Sequence, residues 1–267
     1  MGEIACKNYQ FHYCFSGCSD RPLILFLHGF MGDCTVFEAA IAHLSTDFYC
    51  MTVDLPGHGQ TKTLTGEDGY TMPATASGLV QLLDRLEIHP CVLVGYSMGG
   101  RLALYLTLHF PDHFSKAVVE SGSPGLKTEI ERHQRLERDR KLAEALTPGN
   151  FAAFLARWYD NPLFSSLRQH PAFEATVKKR LQNNPIELAK SLRNLSTGRQ
   201  PCLWEKLPEN QVPLLLLAGE LDAKFVAINR EMNPLCPQSN LTIIRNCGHN
   251  IHVEQPLPFA NAVREFL

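Results

Sequence analysis

The sequence has no excess of charge of either sign: 25 Lys and Arg stand against 27 Asp and Glu, a formal net charge of −2. No global basic field recommends a nucleic acid or an anionic membrane as partner, so anion recognition has to come from local arginines. No apolar run approaches the length needed to span a bilayer; the longest, such as Leu214 to Ala218, are strand-sized. The nine cysteines include no CxxC pair, which removes the zinc-ribbon and thioredoxin-type motifs. Cys50 and Cys91 lie inside apolar runs, where a reduced thiol acts as a small apolar filler. The opening residues, MGEIACKNYQFHYCF, lack a basic stretch followed by an apolar one, so no secretory signal is expected. Repeats and low-complexity tracts are missing too. These absences lead us to expect a reduced, soluble, cytoplasmic protein with no membrane insertion, no nucleic-acid partner and no metal.

What is present is an alternation. Short apolar runs at Pro22–Leu27, Phe48–Val53, Cys91–Val94, Ala117–Glu120, Pro213–Ala218 and Leu241–Ile244 read as buried strands. Helical patterns at Thr35–Leu44, Thr71–Leu86, Met98–His109 and Gln255–Phe266 fall between and after them. The alternation predicts an α/β architecture with a mostly parallel sheet, preceded by an antiparallel hairpin carrying Ile4, Tyr9, Phe11 and Phe15. From about Lys127 to Gln200 no strand pattern occurs, and prolines punctuate several helices. We therefore expect a core over residues 1–126 and 201–267, with 127–200 inserted as a helical cap over the strand ends.

In open parallel sheets, functional groups gather at the carboxyl ends of the strands. One such end reads Gly95-Tyr-Ser97-Met-Gly99, a G-x-S-x-G between a strand and a helix. The glycines permit a tight strand-to-helix turn that exposes the serine hydroxyl. Serine is a weak nucleophile and base, so it needs an imidazole. His249 follows the last strand and Asp222 the one before, in the order Ser, Asp, His that such elbows use. His252 competes as base but reads more as a capping or packing group, and Glu220 competes with Asp222 as the acid. Asp54 and His58 of "DLPGHG" read as loop-forming groups. The amides of Phe30 and Met98 are placed to form an oxyanion pocket.

The strings "LFLHGFMGD", "VDLPGHG", "VGYSMGGR" and "CGHNIHVEQP" resemble the α/β-hydrolase fold over the whole chain. Further strings, "ESGSPGL", "ERHQRLERD", "ARWYDNPLF", "KKRLQNNP" and "LAGELDAKF", are similar to the 2-succinyl-6-hydroxy-2,4-cyclohexadiene-1-carboxylate synthase family. That resemblance implies a cofactor-free lyase of menaquinone or phylloquinone biosynthesis that eliminates pyruvate, with the triad acting as a base. Its small-molecule substrate carries three carboxylates, so the pocket needs positive charge, and the guanidinium fork suits carboxylates.

Arg101, one turn after Ser97, can reach an anion held over the serine; its bland reading is a surface ion pair. The resemblance brings in Arg135 and Arg180. By pattern alone Arg135 belongs to an ordinary solvated helix with Glu131–Arg135, Arg135–Asp139 and Glu137–Lys141 pairs. Arg132 and Arg138 are the alternatives if the helix phase differs. Tyr96 and Trp158 are candidate pocket residues, the latter equally readable as core with Phe154 and Leu155. Phe225, beside Lys224, is a further pocket candidate. The rivals are a serine esterase or C–C bond hydrolase with Ser97 as covalent nucleophile, and a non-catalytic binding protein of the same fold. The expected oligomeric state is a monomer.

Overall fold

The apolar runs are uninterrupted because both faces of the strands they form are covered. In the computed structural model, which describes residues 1–267, an antiparallel hairpin of β1 (Gly2–Cys6) and β2 (Tyr9–Ser16) comes first. Next are β3 (Leu23–Leu27), α1 (Glu38–Leu44) and β4 (Tyr49–Val53). The short β5 (Lys62–Thr63) pairs with β2. Then come α2 (Met72–Arg85), β6 (Cys91–Tyr96), α3 (Met98–His109) and β7 (Phe114–Glu120). Five helices intervene before the sheet resumes: α4 (Glu129–Ala145), α5 (Phe151–Tyr159), α6 (Ser165–Gln169), α7 (Phe173–Arg180) and α8 (Pro185–Asn194). The chain finishes with β8 (Leu214–Gly219), α9 (Ala223–Met232), β9 (Ser239–Ile244), α10 (Ile251–Glu254) and α11 (Pro256–Phe266).

The sheet order is β1-β2-β4-β3-β6-β7-β8-β9. Every pairing from β4 to β9 is parallel, and β2 joins β4 antiparallel. Alternation along each strand divides the core. On β3, Leu25 and Leu27 pack with Leu79 and Leu102, whereas Ile24 and Phe26 pack with Phe37 and Phe259 on the opposite face.

Several boundaries differ from the expected ones: β6 runs on to Tyr96, β7 begins at Phe114 and β9 at Ser239. Thr35 stays outside α1 because the Asp33 carboxylate accepts hydrogen bonds from both its amide (2.8 Å) and its hydroxyl (2.7 Å), forming a turn. The expected C-terminal helix over Gln255–Phe266 is α11, and a short α10 that the pattern did not show precedes it, ended by Pro256, which has no N–H to continue it. Helix α9, capped by Asp222, is not delimited by the sequence pattern.

Helices α4 to α8 build a cluster of their own, in which Phe154, Leu155, Phe164 and Leu192 surround Met31 of the β3–α1 loop. Helix α4 starts with a capping box: Thr128 accepts from the Glu131 amide while Glu131 accepts from the Thr128 amide. Only Asp139 and Ala143 of α4 are buried. What its inner stripe faces is therefore not core.

Candidate active site

The turn between β6 and α3 holds Ser97 at φ 49°, ψ −102°, a left-handed backbone that a serine adopts only at a cost of about 1–3 kcal/mol. Two glycines make the turn possible. A Cβ at Gly99 would run into the Leu27 carbonyl, and one at Gly95 into the carbonyl of Gly99. The Ser97 amide donates to the Glu120 carbonyl (2.8 Å), and its own carbonyl accepts from Arg101 N (2.9 Å), so β7 and α3 fix the elbow from both sides.

His249 lies on the loop between β9 and α10. Glu254 secures that loop by accepting from the amides of Gly248 (3.0 Å) and Asn250 (3.3 Å). Asp222 caps α9, one carboxylate oxygen accepting from the Phe225 amide (3.2 Å). Its other oxygen lies 2.7 Å from His249 Nδ1, and His249 Nε2 lies 2.9 Å from Ser97 Oγ. The buried carboxylate assigns the ring proton to Nδ1, which leaves Nε2 to accept the serine proton. Glu220 is exposed and instead accepts from the Asn246 amide. His252 is fully buried against Glu120, away from Ser97, as the packing reading expects.

The amides of Phe30 and Met98 donate to no group within the chain. The loop of Phe30 is shaped by His28, whose Nδ1 donates to the Gly29 carbonyl (2.8 Å) and whose Nε2 accepts from Leu55 N (2.9 Å). That acceptor role needs a neutral ring, and burial pushes the His28 pKa down. Asp54 and His58 are the loop-formers expected: Asp54 accepts from Cys34 N (2.6 Å) and Gln60 N (2.8 Å), and His58 Nδ1 bonds the Pro56 carbonyl (3.1 Å).

Ser97 and His249 open into a cavity of about 770 Å³. All the proposed pocket residues line it: Phe30, Tyr96, Met98, Arg101, Arg135, Trp158, Arg180 and Phe225. Trp158 stands 5.3 Å from the Phe30 ring and Phe225 4.7 Å from the His249 ring, so they form an aromatic wall around the reacting atoms. Tyr96 is held neutral, its phenol raised well above the ordinary value by burial and then by Glu120. Arg138, Arg157 and Lys224 add positive charge to the lining, where Asp139 is the acid.

The cations differ in how they are compensated. Arg135 Nε reaches both Asp139 oxygens at 2.8 Å, and Ser196 Oγ donates to the same carboxylate at 2.7 Å. The other two expected α4 pairs do not form, because Glu131 is used in the cap and Glu137 pairs with Arg140. Arg101 has only neutral partners, the Leu195 carbonyl (2.7 Å) and Gln200 Oε1 (3.1 Å). Burial, and then Arg135, push its pKa down to about 9, so it remains a cation at neutral pH. Arg180 is 4% exposed; Nη1 donates to the Met31 carbonyl and Nε has no partner. Neither Arg101 nor Arg180 forms an ion pair; Asp139 and Asp33 respectively act on them only from a distance.

Sequence reasoning missed Arg157, Phe164 and Asn250 in the lining, and named Arg138, like Arg132, only as an alternative to Arg135. Arg132 instead bonds the Leu126 (3.1 Å) and Lys127 (3.3 Å) carbonyls. A signal did exist for α4: Arg135, Arg138, Asp139 and Leu142 follow i, i+3, i+4, i+7. Among side chains able to ligate metals, His12, Cys14 and Cys34 lie close together. They are outside the cavity, with His12 Nδ1 on Asp54 (2.8 Å) and the Cys34 thiol donating to the Thr52 carbonyl (3.4 Å).

The α/β hydrolase fold family model matches residues 22–256. A Bacillus subtilis (strain 168) protein that carries the name 2-succinyl-6-hydroxy-2,4-cyclohexadiene-1-carboxylate synthase provisionally is 41% identical over 254 residues, 94% of this chain and 92% of that protein. The Serratia proteamaculans (strain 568) protein of that name is 33% identical, over 94% of this chain and 95% of its own. Among solved structures, MenH from S. aureus superposes with a TM-score of 0.89 at 34% identity, covering 98% of each chain.

Proposed function

Because the chain belongs to the 2-succinyl-6-hydroxy-2,4-cyclohexadiene-1-carboxylate synthase family of the α/β-hydrolase fold, we propose that it is the lyase of menaquinone or phylloquinone biosynthesis. It takes 2-succinyl-5-enolpyruvyl-6-hydroxy-3-cyclohexene-1-carboxylate to the cyclohexadiene and pyruvate. The observation that carries this reading is the pair of guanidiniums without an ion-pair partner, Arg101 and Arg180, in the cavity that Ser97 and His249 enter. Burying a cation without a counter-charge costs several kcal/mol. A ligand carboxylate recovers that cost, and this substrate has three. Arg135 serves the third, its Nε anchored on Asp139 so that its terminal nitrogens stay free.

Ser97 passes its proton to His249 Nε2 as Oγ removes the proton from ring carbon 2, next to the succinyl ketone. Asp222 stabilises the resulting imidazolium. The Phe30 and Met98 amides take the charge that develops on the ketone oxygen, each worth about 3 kcal/mol in comparable sites. A double bond forms between carbons 2 and 3, the ring alkene moves to carbons 4 and 5, and the bond from carbon 5 to oxygen breaks. The departing enolpyruvate receives the proton from His249 and becomes pyruvate. The step calls for no metal or organic cofactor. Tyr96, Trp158 and Phe225 shape the walls, and residues 127–200 act as a lid that excludes water. The protein works as a cytoplasmic monomer in this reading.

The decisive assay supplies the enolpyruvyl substrate from the preceding pathway enzyme and detects pyruvate through a coupled dehydrogenase. One pyruvate per substrate is expected. Brisk turnover of p-nitrophenyl acetate with no pyruvate would replace the lyase by a serine esterase.

A further inference from the structure

A second acid–histidine pair lies directly behind the elbow. Glu120 and His252 are both wholly buried and neither lines the cavity, so neither meets substrate. His252 Nδ1 lies 2.9 and 2.8 Å from the two Glu120 oxygens, and the carboxylate also accepts from the His252 amide at 3.2 Å. His252 Nε2 has no partner. The least costly tautomer carries the proton on Nδ1 and leaves the orphaned nitrogen as a bare lone pair.

The connections of this pair matter more than its burial. The main-chain carbonyl of Glu120 holds the Ser97 amide, while its side chain holds α10, which begins two residues after His249. The Tyr96 ring bridges the two imidazoles, 4.6 Å from His252 and 5.3 Å from His249. Phe37 closes the other side at 4.4 Å. A buried carboxylate is expensive to dehydrate, and a well-packed apolar pair would fill the same space at least as stably. What an apolar pair lacks is direction: three bonds from one residue to two chain segments fix their relative position and orientation. A misplacement of about 1 Å at a reacting pair can cost on the order of 100-fold in rate.

We infer that Glu120 and His252 are positioning residues that set the Ser97–His249 contact, by clamping the elbow and the histidine loop to one residue, the elbow through the Glu120 main-chain carbonyl and the loop through its carboxylate. The inference rests on the proposed role of Ser97 and His249, and it extends that role to residues outside the cavity.

The test compares Glu120→Gln, His252→Asn and His252→Leu with the unaltered protein. His252→Asn keeps a donor near the place of Nδ1, and His252→Leu does not. The readouts are the rate at which a fluorophosphonate labels Ser97, kcat and KM for pyruvate release, and thermal unfolding to establish that each variant is folded. In Glu120→Gln and His252→Leu, labelling and kcat fall together by about tenfold or more while KM stays within about twofold; His252→Asn recovers most of the loss. Folded variants that label and turn over within about threefold of the unaltered protein overturn the inference, as do equal losses in His252→Asn and His252→Leu, which would mean packing alone. Should Glu120→Gln not fold, the His252 pair decides. Should the unaltered protein release no pyruvate, the lyase reading fails and the labelling comparison still decides this one.

Discussion

Replacing Arg180 by methionine pulls activity and stability in opposite directions. The side chain is 4% exposed, its Nε has no partner and it forms no ion pair. Each charge-assisted hydrogen bond to a substrate carboxylate is worth about 1.5–3 kcal/mol. Losing a two-point contact therefore removes roughly 3–6 kcal/mol, about 10²–10⁴-fold in kcat/KM. The folded protein without substrate fares differently. Arg180→Met forfeits one donor to the Met31 carbonyl, about 1 kcal/mol, but Asn183 Nδ2 still donates to that carbonyl at 3.0 Å. Against that loss stands relief from burying an uncompensated ion in a cavity with five other cations, and apolar replacements of buried charges often gain about 1–4 kcal/mol. The expected net is a gain of up to about 3 kcal/mol in urea unfolding, or a midpoint rise of about 2–4 °C per kcal/mol. Steady-state pyruvate release and equilibrium unfolding measure the two halves independently. A variant that loses stability in step with activity, or that keeps kcat/KM within about threefold, would show that Arg180 holds the fold and not the substrate.

Ser97→Ala, Asp222→Asn and His249→Ala should each reduce pyruvate release by about 10³-fold or more with the fold intact by circular dichroism; near-normal turnover removes that residue from the mechanism. Gly99→Ala should lower both soluble yield and unfolding midpoint by overpacking worth about 1–3 kcal/mol or more, because its Cβ meets the Leu27 carbonyl; an unchanged midpoint would mean that the elbow can relax. Stability should fall on acidification: burial, then His28, hold the His58 pKa well below its ordinary value, so below about pH 6.5 the unfolded chain binds a proton that the folded one refuses. His58→Gln should flatten the pH dependence of unfolding between pH 6.5 and 5 by up to about 1.4 kcal/mol per pH unit, and an unaltered slope would place the titration elsewhere.

Much of the site was legible because it is local. A strand, a glycine-flanked serine and a helix are neighbours in the chain, and the acid and base each follow a strand whose apolar run is unmistakable. The competition between His249 and His252 was harder: they are three residues apart on one loop, and only the side-chain partners separate them, Asp222 for one and Glu120 for the other. Helix α4 shows the opposite limit. Its charges repeat at the spacing of a solvated surface helix, and that spacing is the same whether the stripe faces water or a cavity meant for anions. Asp139 read as one half of an ordinary surface pair, yet it is buried beneath Arg135.

The sequence by itself determined the order of strands and helices, the elbow, and the three residues able to share a proton, because backbone sterics and hydrophobic periodicity act between near neighbours. Only the tertiary structure decided which cations surround the serine, which of them go without an ion-pair partner, and which residue ties the elbow to the histidine loop from behind. Charge compensation depends on groups brought together from distant parts of the chain, and no local pattern records the distance between them.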